Sequence, residues 1–97
     1  MKRKYLFFSL LLAGSSLYAQ EWPAVRPEAR PATRWWWLGS AVDATNLTYN
    51  LEEYAKAGLG GVEITPIYGV QGNDKNNLPF LSPQWMNMLQ HTEAEGK

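Results

Sequence analysis

The sequence contains no cysteine. That excludes disulfides, and with them the usual support of a small exported domain. It excludes structural zinc held by thiolates. It also excludes a lipid-modified cysteine at a signal cleavage site. Long apolar runs are equally scarce. The one at the start, Tyr5 to Ala13, has about half of the ~20 residues that a membrane span needs, so no anchor is expected. Neither sign of charge dominates, with 9 basic and 9 acidic side chains in 97 residues, and the length caps the chain at one small domain.

Lys2, Arg3 and Lys4 precede that apolar run, and Ser15-Ser16-Leu17-Tyr18-Ala19 follows it. Basic start, short apolar stretch and small residues together read as a secretory signal peptide over residues 1–19, cleaved near Ala19. The product is then exported, periplasmic or secreted. Removing the three basic residues leaves an acidic excess, which argues against nucleic acid as a partner.

Residues 20–32 read as an extended arm. Pro23, Pro27 and Pro31 recur every fourth residue, and each ring removes an N–H that a helix would use. Arg26, Arg30 and Arg34 are then solvated linker charges, or contacts for an acidic ligand.

From residue 33 to 97 strand and helix patterns alternate. Thr33–Leu38 is aromatic and ends at Gly39-Ser40, which predicts a strand. Asp43 or Thr45 caps a helix whose apolar face is Leu47, Leu51, Tyr54, Ala55 and Gly58. Val62–Pro66 alternates as a second strand, with Val62 and Ile64 on one face and Glu63 and Thr65 on the other. A polar loop runs from Ile67 to Leu81. Ser82-Pro83 then opens a last helix that buries Trp85, Met88, Leu89 and Thr92. The β-α-β-α order predicts an α/β fold with parallel strands and a crossover helix. Two such strands leave open edges, so the segment reads as the start of something larger, or as a piece that completes the sheet of a partner chain.

Ligands of parallel α/β folds meet the C-terminal ends of the strands. That rule selects Trp37, Glu63 and Tyr68 as candidate substrate-binding residues. Indole faces stack on sugar rings, yet Trp35 and Trp37 share one face of the strand and Trp36 the other, so core packing competes with a binding role. Glu63 would face the interior of a closed barrel and could meet a sugar hydroxyl, a cation or a catalytic partner. A structural ion pair with a lysine or arginine is the simpler alternative. Asn73, Asp74, Asn76 and Asn77 offer oxygens to calcium, or simply form turns. His91, the only histidine, falls off the apolar face of its helix and is expected in solvent.

The run Arg30-Pro-Ala-Thr-Arg-Trp-Trp-Trp-Leu-Gly-Ser40, then Leu51-Glu-Glu-Tyr-Ala-Lys-Ala-Gly58 and Leu59-Gly-Gly-Val-Glu-Ile-Thr-Pro66, resembles the opening of glycoside hydrolase family 106. These are large exported α-L-rhamnosidase-like enzymes of Bacteroidetes type. The resemblance implies the first two βα units of a (β/α)8 TIM-type barrel over residues 33–97, left incomplete by this chain. It implies calcium dependence, and removal of terminal rhamnose from plant polysaccharides or glycosides by two glutamates. Those glutamates lie in later strands, so no catalytic residue is expected here and the segment alone would be inactive. Its partners would be an oligosaccharide or polysaccharide and the remainder of the parent chain. The alternative is a small secreted carbohydrate-binding or partner-completing protein without catalysis.

Overall fold

The computed structural model describes residues 21–97. The expected signal peptide and its cleavage near Ala19 lie outside the described residues. The arm is exposed and makes one 3-10 turn, Pro27–Ala29, where a fully extended run was expected. Proline tolerates this turn because the N–H it lacks would have had no partner at the first position. The turn rests on Gly60, whose N–H donates to Pro31 O at 2.9 Å.

Strand β1, Ala32–Leu38, leads through a tight turn into helix α1, Ala44–Lys56. Asp43 is the cap, its carboxylate accepting from the Asn46 N–H at 2.9 Å. Gly58, at φ +91, supplies the left-handed residue just past the helix. Strand β2, Gly61–Ile67, lies parallel to β1 in an unbroken register from Ala32↔Gly61 to Leu38↔Ile67. Helix α2, Pro83–Glu95, opens with Ser82 as its cap and Pro83 in its first turn. Among the described residues no helix is long and apolar enough to cross a membrane.

Both helices contribute to a core on one face of the sheet. Strand alternation sends Trp35 and Trp37 to that face, where Leu47 and Trp85 complete a cluster flanked by Leu51, Tyr54, Val62, Ile64, Met88 and Leu89. Edge-to-face contacts link Tyr54, Trp35, Trp37, Trp85 and Phe80 in series, with centroid separations of 4.9–5.9 Å. The other face carries Arg34, Trp36 and Leu38 beside Glu63, Thr65 and Ile67, and most of it is exposed.

This corrects the barrel expectation. The described residues form a two-stranded parallel sheet with its helix-bound core on one face, and no closed barrel. Closure needs about eight tilted strands. Glu63 therefore has no barrel interior to face, and its carboxylate stands on the open side of the sheet. Smaller differences are local. Ala55 is exposed, and His91 is half-buried because its Nε2 lies 2.8 Å from Thr48 Oγ1, joining the two helices.

Candidate functional site at the strand ends

The turn after β1 and the loop after β2 meet where both strands end. The Gly39 N–H is shared between Ile67 O at 2.9 Å and Tyr68 O at 3.1 Å, and Gly39 O accepts from the Leu78 N–H at 3.2 Å. Gly39 and Ser40 both take left-handed backbone, φ +62 and +51. That reversal brings the chain back under the loop. The Asn77 side chain fills the gap between Gly39 and Gly69, and a Cβ on either glycine would collide with its amide. Among the described residues Asn77 Oδ1 is buried without a hydrogen-bond partner. A buried carbonyl oxygen left in that state is short of a donor.

Above this floor lies an open hollow of about 610 Å³. Tyr68 and Phe80 contribute aromatic surface, Asp74 and Asn77 polar groups, and Pro66 and Leu78 apolar wall. Tyr68 is 84 % exposed and Phe80 65 %, so both are open to solvent. Phe80 is also held from beneath by Trp85, at a centroid distance of 4.9 Å. The arrangement suits a compact ligand with one apolar face and several hydroxyls.

The three expected binding residues are not brought together. Tyr68 lines the hollow. Trp37 is 1 % exposed within the core, its indole N–H buried without an acceptor among the described residues. Glu63 is paired with Arg34, Nε to Oε2 at 3.2 Å, on the open sheet face. Phe80 escaped the sequence reading. Its signal was its place just before the Ser82-Pro83 helix start, where the chain must turn in from the loop.

The turn rich in asparagine does not by itself fit calcium. Asp74–Asn76 folds as a short 3-10 turn, with Asn76 Nδ2 donating to Asn73 Oδ1 at 2.6 Å, so those two amides serve each other. Calcium takes six to eight oxygens, usually with several carboxylates, and Asp74 is the one carboxylate in this turn. Among the described residues no group of three or more histidine, cysteine, aspartate or glutamate side chains gathers.

No protein-family model, curated protein or solved structure matches the chain.

Proposed function

We propose that this chain contributes the sugar-binding part of an exported, α-L-rhamnosidase-like glycoside hydrolase, with the hollow at the strand ends as the binding site. The observation that carries the reading is the pairing of Tyr68 and Phe80 with Asp74 and Asn77 around one hollow. A 6-deoxy sugar such as rhamnose has a methyl group and ring C–H bonds for the aromatics, and hydroxyls for the carboxylate and amide. The choice of rhamnose rests on the resemblance of residues 30–66 to the rhamnosidase family.

Binding without cleavage is the expected behaviour of these residues alone. Glycoside hydrolysis normally uses two carboxyl groups at a set separation. Asp74 is the carboxylate lining the hollow, and Glu63 stands on the open sheet face beside Arg34. Titrating the full chain with methyl α-L-rhamnoside tests the reading. Amide resonances of Gly39, Tyr68, Gly69 and Asn77 should shift together and saturably, and more strongly than with methyl α-D-glucoside. Shifts scattered elsewhere, or none at millimolar sugar, would overturn it.

A further inference from the structure

The two edges of the sheet are not alike. In a parallel ladder, alternate residues turn both N–H and C=O toward the same neighbour. The Gly39 N–H to Ile67 O bond and the Trp37↔Pro66 register place Trp35 and Trp37 inward on β1, with Thr65 and Ile67 inward on β2. Arg34, Trp36 and Leu38 therefore turn their N–H groups to the outer edge of β1. On β2 the outward residues are Val62, Ile64 and Pro66, and Pro66 has no N–H to offer.

The outer edge of β1 lacks the devices that protect exposed strands. It has no proline, no lysine and no break in register, and the Arg34 charge is engaged by Glu63 across the sheet. A groove of about 370 Å³ runs beside it, between Trp36 and Leu38 on the strand and Asp43, Asn46 and Asn50 on the α1 side. Asn46 spends its amide N–H on Asp43 Oδ2 at 2.7 Å, and Asn50 spends one on Asn46 O at 2.8 Å. Both Asp43 oxygens already accept from Asn46, so the Asn46 and Asn50 amide oxygens and the second lone pairs of the Asp43 carboxylate remain as acceptors. Among the described residues no basic side chain lines the groove.

We propose that the outer edge of β1 docks an extended peptide as an added strand, with a lysine or arginine of that peptide directed at the Asp43–Asn46–Asn50 wall. Main-chain pairing with Arg34 and Trp36 and with the Leu38 N–H supplies the affinity, Leu38 O being already taken by the Ala41 N–H at 3.2 Å, and the acceptors of the wall select the side chain. A second copy of this chain fits less well. Its β1 carries Arg34 as the one basic residue, already committed to Glu63, and it would set a second Asp43 carboxylate beside the first. The inference uses the sheet edge and not the hollow, so the two tests read different amides.

The test uses the full chain and a capped peptide of alternating valine and lysine. Amide hydrogen exchange at Arg34, Trp36 and Leu38 should slow by about tenfold or more on saturation, with Val62 and Ile64 unchanged. The same peptide with glutamate for lysine should bind at least about tenfold more weakly, and an N-methylated version should give no protection. Asn50→Lys should abolish the preference for lysine over glutamate while keeping the strand amides protected. Absence of protection at millimolar peptide would overturn the proposal. So would protection at Val62 and Ile64 instead, an equal response to both charges, or protection that rises with chain concentration in the absence of peptide.

Discussion

Trp85 donates its indole N–H to the Ser40 hydroxyl across 2.9 Å, a buried bond between residues 45 positions apart. It fastens α2 to the turn that follows β1. Ser40 is 3 % exposed and holds a positive φ that serine adopts reluctantly, so the bond supports a backbone shape with little intrinsic preference. Trp37 presents the contrast. Its indole is as deeply buried, yet its N–H has no acceptor among the described residues.

The two tryptophans therefore respond differently to the same change. Trp85→Phe loses ring volume and strands the Ser40 hydroxyl, whereas Trp37→Phe loses similar volume and removes an unsatisfied donor. Urea unfolding of the two variants should differ by about 1–3 kcal/mol, with Trp85→Phe the less stable.

Gly39→Ala tests the packing under the hollow. A new Cβ meets the Asn77 amide, on a backbone at φ +62 that alanine disfavours. A loss of about 1–3 kcal/mol is expected. The double variant with Asn77→Ala should recover the steric share and keep the backbone share, a coupling that a double-mutant cycle would read.

Acid weakens the start of α1. The Asn46 backbone N–H, and then its side-chain amide, hold the Asp43 carboxyl below its ordinary value of 3.8. A carboxyl depressed in the folded state adds stability that is fully present above its unfolded pKa and fades as pH falls through the folded one. Helicity followed by circular dichroism should thus be flat from neutrality down to about pH 5, then decline through the region below 3.8. Asp43→Asn, which can still cap, should flatten that decline.

Leu47→Ala should cost about 2–5 kcal/mol, because Leu47 is 1 % exposed at the centre of the core. Glu63→Gln should change stability by less than about 1 kcal/mol, since both partners of its ion pair are more than half exposed. Tyr68→Ala should leave stability unchanged and weaken binding of methyl α-L-rhamnoside by about tenfold, read from the same amide shifts.

The local elements were legible in the sequence wherever a single periodicity or cap decided them. Strand alternation placed Trp35 and Trp37 opposite Trp36. Asp43 and Ser82-Pro83 marked the two helix starts, and Gly58 the end of the first helix. The barrel was not legible, because the number of strands in a sheet is a property of tertiary pairing that two strand patterns cannot specify. The sheet they form is held from one side by Leu47 and Trp85, and Glu63 takes Arg34 as its neighbour across the ladder. The site was half legible. Tyr68 follows from the rule about strand ends, but Asn77 and Phe80 reach the hollow through a loop path set by the left-handed turn at Gly39 and Ser40.

Pro66 gives the sheet a valence of close to one. An open-ended fibre needs each unit to be adhesive along two strands, so that every addition recreates the surface it consumed. Here the second border is cut short by an imide ring, and docking along the first leaves only the stretch at Val62 and Ile64 for anything that follows. Ordered filaments should accordingly not grow from concentrated solution, and should appear only when Pro66 is replaced.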